Sequence, residues 1–529
     1  MKNIFLSITP LTLVLFFLTF TSCTKLKDTP YGSVDASTYN ISSKDLDGFA
    51  INAYGNLKDY ATSYQTDVCS DEWCIPGRPN GWVDGGVHQR EHLHNFQATE
   101  EGEGWYSAYS GIQKCNQIID FMIGQGRVTL PADESKRLIA EMKTLRAFYH
   151  GWVLDAYGSA PFVTKFSNAT KPAQLSRVQL FDSIVADIKS AIPDLVAPSS
   201  TTYGRMHKYA AYFLLGRFYL NAKIYTGVDH WDDCIAVCDT IINSGKYILE
   251  PNFRDNFIVQ NEGSRENILA VPFDTKNSTG FTRGQGSLHP ANQPTYKMEQ
   301  AGWGGPCAIP QFVDTYNPQD SRLKDTYVQG PQFAADGNPI KINIGTPTEQ
   351  QLNIKNYLQD IYFSELEYGY RYGKYEYQIP LKIDMSNDFQ VFRYAEVLFM
   401  KAESLLRTGH QNEAATLVTQ VRQRAFKTNP AMATVTGAEL MLGSAYKYGR
   451  YANGSNSTNE GGTDVVYGRM LDEWGWEFAT EFRRRITQIR FGVFTTKSWL
   501  NHVPNGDTKK LFPIPLSEIT QGYTQNPGY

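Results

Sequence analysis

Four tryptophans and the polar side chains near them carry the clearest chemistry in this chain. Trp73, Trp82 and Trp105 fall near Arg78, Asn80, Asp84 and Arg90, while Trp303 stands apart in the run AGWGGP. A pyranose has an apolar C–H face and an edge of hydroxyls. A site for one needs a flat ring to stack on and neighbouring groups that hydrogen-bond in pairs. The indoles can supply the ring, and the guanidinium, amide and carboxylate groups can supply the edge. Each tryptophan could equally pin a loop to the body.

The same region offers two alternatives that involve bond chemistry. His88, His92 and His94 have spacings of four and two that could gather imidazoles around zinc, with Glu91 placed to activate water. Their order is not HExxH, and structural histidines are the simpler expectation. Asp71, Glu72 and Asp84 nominally offer the carboxylate pair of a glycosidase, which needs two such groups about 5 to 9.5 Å apart. Acids beside a sugar also serve as plain hydroxyl acceptors, so binding without turnover is favoured. No metal and no cofactor are expected, and the oxygen-rich stretch 314–325 lacks the spacing of an EF-hand. Among the cysteines no paired CxxC spacing occurs. Cys234 and Cys238, one helical turn apart, are expected as small buried residues. Cys69 and Cys74 lie in one loop and could bridge, a pairing the sequence leaves open.

These groups need a scaffold, and 529 residues can bury a large core. Lys and Arg number 50 against 54 Asp and Glu, with no basic run, so the electrostatic footprint of nucleic-acid binding is missing. The 32 Tyr, 29 Phe and 9 Trp exceed what a core of this size obviously needs and suggest surface recognition through rings. Residues 4–20 are uncharged and mostly apolar behind Lys2, as in an export signal, and at 17 residues fall short of the ~20 that a spanning helix needs. The run ends at Thr21-Ser22-Cys23, which resembles a lipobox and makes Cys23 the expected lipidation site. Residues 1–22 are then the signal peptide and 23–43 a tether.

Helical periodicity appears at 46–60, 105–123, 134–157, 180–192, 208–222 and 231–242. Leu215, Gly216 and Tyr219 echo the L-G-x-x-Y spacing of tetratricopeptide helices, with Ala236 in the partner helix. A second hairpin spans 393–425, where Gly409 is expected to stop the first helix in a left-handed cap and Arg407 to pair with Glu403. Such pairs cannot cover their own apolar faces, so they must stack on one another. The expected class is mainly α: tetratricopeptide-like helical pairs with long loop-rich insertions and short strands. Region 44–250 is helical, 251–390 is a loop-rich insertion expected to form part of the ligand face, and 391–529 returns to helix, with 470–492 read as one helix. Tyr362, Tyr368, Tyr370, Tyr372, Tyr375 and Tyr377 form a dense tract, read slightly more readily as strand positions packing on the body than as a sugar platform.

Five places together resemble the SusD/RagB family of outer-membrane nutrient-binding lipoproteins of the Bacteroidetes. They are the lipobox-like Cys23, AEMKTLRAFYHGWVLDAYGSAPFV at 140–163, RMHKYAAYFLLGRFYLNA at 205–222, RYAEVLFMKAESLL at 393–406, and EFATEFRRRITQIRFG followed by the IP and QNPGY ending. The segment 70–96 also resembles one branch of the family, whose members often place ligand-contacting aromatics there. One departure is Phe482, where many members have glycine. The resemblance implies a lipid-anchored, non-enzymatic protein of the outer membrane, facing the cell exterior. It would capture oligo- or polysaccharide and pass it to a SusC-like TonB-dependent transporter. The alternatives are a RagB-like peptide-binding lipoprotein and, from the residues above, a metal- or carboxylate-dependent hydrolase.

Overall fold

A helix that is apolar along one stripe is stable only when another element covers it, and this chain meets that demand serially. The computed structural model describes residue 42 and residues 45–100, 102–124, 130–167, 170–343 and 348–529. The stretch expected to be an export signal, and Cys23, lie outside the described residues. The body is carried by α1 (Glu103–Gly124), α2 (Ala132–Tyr157), α3 (Arg177–Ala191), α4 (Lys208–Thr226), α5 (Trp231–Ile242), α6 (Tyr394–Arg407) and α7 (Gln411–Arg422). Each packs on the next, so α6 continues the stack directly from α5 although some 150 residues separate them in sequence. Among the described residues no helix is long and apolar enough to cross a membrane.

The local signals explain the helix ends. Ser176 and Gln179 form a capping box at the start of α3, and α4 ends on Gly227 in the left-handed region. Gly409, at φ 86°, turns the chain between α6 and α7 as its type and position imply. Arg407 holds Glu403 at 2.8 Å, as the i,i+4 spacing predicts. A Cβ on Gly216 would come within 3.2 Å of the Met400 terminal carbon, so a larger residue where α4 meets α6 needs that side chain to give by a few tenths of an ångström. The expected helix over 46–60 is instead two, Leu46–Tyr54 and Asn56–Thr62, abutting at Gly55.

The expected helix over 470–492 is also broken. It divides into α8 (Gly468–Phe478) and α9 (Arg484–Arg490), and between them Thr480 and Phe482 take φ of 61° and 62°. That turn swings Glu481 into the body, where its carboxylate meets Arg393 at 2.7 and 2.9 Å and also Lys374. The left-handed backbone at Phe482 is where glycine costs least, so the departure noted in the sequence has a conformational meaning. A buried ionic cluster surrounds it. Glu477 accepts from Arg393 at 2.7 Å, Arg424 at 2.5 Å and Arg322 at 3.1 Å, and Glu266 pairs with Arg424.

The insertion is closed at its base by β2 (Asn267–Val271) and β4 (Phe389–Arg393), which pair antiparallel. Beyond that base lie two-residue strands and short helices such as Arg283–Ser287 and Ser321–Thr326. Its tyrosine tract is divided: Tyr372, Tyr375 and Tyr377 are buried in the core, Tyr368 and Tyr370 pack half-buried against it, and Tyr362 is exposed. A small antiparallel pair, β1 (Trp73–Cys74) with β3 (Cys307–Ala308), fastens the insertion to the N-terminal region.

Candidate functional site

Loops lack a ladder to satisfy their carbonyls, and a buried guanidinium with five donors can take its place. Arg78, four residues beyond the end of β1, is buried and does this. It donates to the carbonyls of Gly305 (3.1 Å), Ser364 (3.3 Å), Glu365 (2.7 Å) and Tyr368 (3.1 Å). Arg371 adds bonds to Gly304 at 3.0 Å and Tyr368 at 3.2 Å. Burial, with the Arg78 charge beside it, lowers the Arg371 pKa to about 9. Three segments, 77–84, 302–306 and 360–368, are thereby knitted together. The Gly77 N–H donates to the Ile361 carbonyl at 3.2 Å, and the Ser364 N–H to that of Gly77 at 2.9 Å.

This knot presents rings to solvent. Trp82 leaves the Arg78–Gly81 bridge with φ 62°, and a Cβ on Gly305 would lie 2.2 Å from its indole, so only glycine admits the ring there. The Trp82 indole N–H and the Asn80 amide both donate to the Trp303 carbonyl, at 2.8 and 3.0 Å. The Trp303 side of this contact is 40% exposed, and Tyr362 and Phe363 are 62% and 42% exposed. The backbone N–H groups of Tyr362 and Phe363 both donate to Asp360 at 2.7 Å, which fixes the turn that displays them. Asp84 is exposed, 3.9 Å from His88. Arg90 donates to the Gly85 carbonyl at 2.8 Å and pairs with Glu100. The result is an open face of π surfaces with the Asn80 amide and Asp84 carboxylate on the same loops and the Arg90 guanidinium on the short helix Val87–His92 that follows, suited to stacking and hydrogen bonding.

Three of the expected ligand contacts are corrected by this geometry. Trp73 is 1% exposed, stacked 6.5 Å from Tyr327 and edge-on to Tyr372 at 6.3 Å. Trp105 is 3% exposed, edge-on to Tyr157 at 5.3 Å, because it falls on the covered side of α1. Arg78 points inward and binds backbone. Asn80, Trp82, Asp84, Arg90 and Trp303 remain accessible to differing degrees. Tyr362 enters the expectations only through the tyrosine tract, read more readily as packing than as a sugar platform, and Phe363 not at all, although an Asp followed by two rings in D-I-Y-F-S is a turn signal that displays them.

The rival chemistries are not assembled from the residues that suggested them. His92 faces the carbonyls of Val68 (3.2 Å) and Leu500 (2.6 Å), and His94 faces that of Cys69 (2.7 Å). Burial lowers their pKa values to about 4 and about 3. His88 instead meets Glu91 at 3.0 Å on the surface side. Among the described residues no group of three or more side chains is placed to hold a metal ion. Asp71 is buried against Arg484 at 2.6 Å, and Glu72 accepts the Thr480 N–H at 3.0 Å, its carboxyl pushed up by burial. Asp84, the third acid, is on the surface. A cavity within the helical body, bounded by Tyr60, Trp152, Arg217, Glu396 and Phe482, touches none of the loop rings.

Comparison with known proteins agrees with this architecture. A family model described as SusD family matches residues 265–529, and one described as starch-binding associating with outer membrane matches residues 35–220. The chain belongs to the SusD family. The starch-binding protein SusD of Bacteroides thetaiotaomicron is 26% identical to it, over 75% of this chain and 73% of that one. A SusD-like protein of Formosa agariphila is 24% identical over 96% of each chain. Surface glycan-binding protein A from Bacteroides thetaiotaomicron, solved in complex with laminarihexaose, shares the fold with a TM-score of 0.68. At 20% identity it covers 92% of this chain and 100% of its own. For a SusD-family chain, the stacked helical pairs are the common scaffold, and the Arg78 knot is what this sequence builds on it.

Proposed function

We propose that this chain is a non-enzymatic, cell-surface glycan-binding lipoprotein that captures an oligo- or polysaccharide and delivers it to a SusC-like TonB-dependent transporter. Cys23 is its lipidation site, residues 1–22 the signal and 23–43 the tether, which anchors the protein to the outer membrane facing the cell exterior. The helical regions 44–250 and 391–529 form the scaffold, and 251–390 supplies part of the ligand face. The observation that carries this reading is the gathering of exposed Trp303, Tyr362 and Phe363 beside Trp82 and Asn80 on one arginine-knit surface. Trp303, Tyr362 and Trp82 stack on sugar faces, Asn80 bonds hydroxyls, and Asp84 and Arg90 form the polar rim. The relatives named as starch-binding, and the related fold crystallised with laminarihexaose, support a glycan over another solute.

Retention on immobilised starch, laminarin and other polysaccharides, set beside a peptide pool and a reducing-sugar assay, tests this. The expected result is retardation on at least one glycan, lost in Trp303→Ala, with no sugar released. Retention of peptides alone, or release of sugar by the purified chain, overturns it.

A further inference from the structure

Cys74 and Cys307 stand opposite each other in the β1–β3 pair. The Ile309 N–H bonds the Glu72 carbonyl at 3.0 Å, which makes Glu72 and Ile309 a hydrogen-bonded pair. Antiparallel pairs alternate, so Cys74 and Cys307, two residues along, fall in the same class, with Cα atoms about 5.5 Å apart. That separation is within the range a disulfide spans. The two sulfurs are 3.9 Å apart and fully buried. Arg78 Nη2 donates to Cys307 Sγ at 3.0 Å, and Arg371 contributes its charge to the same spot.

These surroundings make the two thiols unequal. Burial alone raises the Cys307 thiol, but the Cys74 hydrogen bond and the two guanidiniums outweigh it and bring it below the usual thiol range. Burial raises Cys74. The guanidiniums bias Cys307 toward the thiolate form, and the directly opposed strand positions, with the sulfurs 3.9 Å apart, supply the closeness a disulfide needs. The other cysteines are not so placed. Cys69 points at the Thr66 carbonyl at 3.6 Å, burial raises Cys115, and Cys234 and Cys238 share one helix, with Cys234 directed at the Gly216 carbonyl at 3.4 Å.

We infer that Cys74 and Cys307 form a disulfide when the chain folds in contact with a small-molecule disulfide oxidant, and that this bond clamps the 302–307 loop to β1 beneath the exposed rings. In the folding chain the Cys307 thiolate attacks one sulfur of oxidised glutathione, forms a mixed disulfide and releases one glutathione, which takes up a proton. The Cys74 thiolate then attacks Cys307 Sγ and expels the second glutathione. Two cysteine thiols are oxidised and one glutathione disulfide is reduced to two thiols, so electrons and protons balance. Closure draws the sulfurs to about 2.0 Å and leaves Arg78 with its carbonyl acceptors. The pair answers the question left open for Cys74: its partner is 233 residues away across a strand pair, not Cys69 in its own loop.

The test uses the full chain, exported to an oxidising compartment or refolded from the reduced state in oxidised glutathione. Each sample is alkylated under denaturing conditions and mapped by peptide mass spectrometry. The expected map joins the Cys74 peptide to the Cys307 peptide, with Cys69 and Cys115 alkylated. The oxidised chain melts a few degrees above the reduced one, and Cys74→Ser removes that difference. A chain that folds with Cys74 and Cys307 both alkylated overturns the inference, as does a Cys69–Cys74 crosslink. If Cys74→Ser fails to fold, the peptide map of the unmutated chain still decides. None of these readouts depends on which ligand the rings bind.

Discussion

Two regions of this protein bury arginine, and they do it in opposite ways. Within the helical body, Arg393 and Arg424, joined by Arg322 reaching in from the insertion, converge on the carboxylates of Glu477, Glu266 and Glu481. In the loop face, Arg78 and Arg371 bond carbonyls almost exclusively and share the space with a cysteine sulfur. The electrostatic result differs accordingly. Burial lowers a guanidinium's pKa, but around Arg393 the acids outweigh it and raise the value, whereas Arg371 falls to about 9. Carboxylates join elements that already have their own backbone bonds, while a guanidinium among carbonyls stands in for secondary structure that the loops lack. The body is therefore held by charge pairing and the face by donor geometry, and the two should fail separately.

The largest effect is expected from Arg393→Met, which leaves Glu477 and Glu481 short of a partner in the core. Removing one member of such a cluster costs about 3–5 kcal/mol. Urea denaturation should show a clear drop in the midpoint, and an unchanged midpoint would mean that the cluster contributes nothing net.

Acidification should weaken the body next. Burial pushes Glu477 up, but Arg424, Arg393 and Arg322 outweigh it and hold it at about 2; burial lowers His92 to about 4, and burial together with the nearby His92, Arg485 and Lys509 lowers His94 to about 3. All three fold with pKa values below their unfolded ones, so their contribution is present above about pH 6.5 for the histidines and 4.5 for Glu477. It is lost as pH falls through the folded values. Glu396 and Asp472 are each raised to about 7, mainly by burial, and act with the opposite sign between about 4.5 and 7 for Glu396, and between about 4 and 7 for Asp472. Melting temperature should therefore decline from pH 6.5 to 4, partly offset. The rings and amide of the face do not titrate there, so ligand affinity per folded molecule should stay level over pH 5 to 7.

Arg78→Met should reverse the pattern, with a stability loss of about 1.5–3 kcal/mol, near-normal far-ultraviolet circular dichroism and abolished glycan retention. Parallel loss of helix and binding would merge the two regions into one. Trp303→Ala should weaken glycan binding tenfold or more at unchanged melting temperature, while Trp73→Ala should destabilise by about 3–5 kcal/mol. Tyr362→Ala is expected to be the mildest, a few-fold in affinity by calorimetry.

The body was far more legible in the sequence than the face, for a physical reason. Helical stripes and caps are written within one or two turns, so α5 falls at 231–242 as expected, and Gly409 marks its turn. The tail helix misled because its composition is helical throughout; the break at Thr480 and Phe482 is imposed by Glu481 reaching Arg393, 88 residues distant. Arg78 reads as a sugar ligand in the sequence because its acceptors lie 227 to 290 residues away and, Cys307 Sγ apart, are backbone atoms with no sequence signature. Trp105 carried a clue to burial in its i,i+4 partner Tyr109, whose ring is 4.9 Å off. Trp73 and Trp303 both lie in stretches without helical periodicity, and only the fold, which puts Trp73 in β1 and leaves Trp303 in a glycine-rich loop, separates the covered ring from the open one.

The pairing of β2 with β4 at the foot of the excursion has an evolutionary corollary. Because Val271 and Phe389 are neighbours, the polypeptide departs from and returns to the scaffold at nearly one point. The outer loops of that excursion, away from the Arg322, Lys374 and Tyr375 contacts that enter the core, can change in length and composition while α5 keeps its seat on α6, so new ligand preferences can arise without refashioning the frame that carries them.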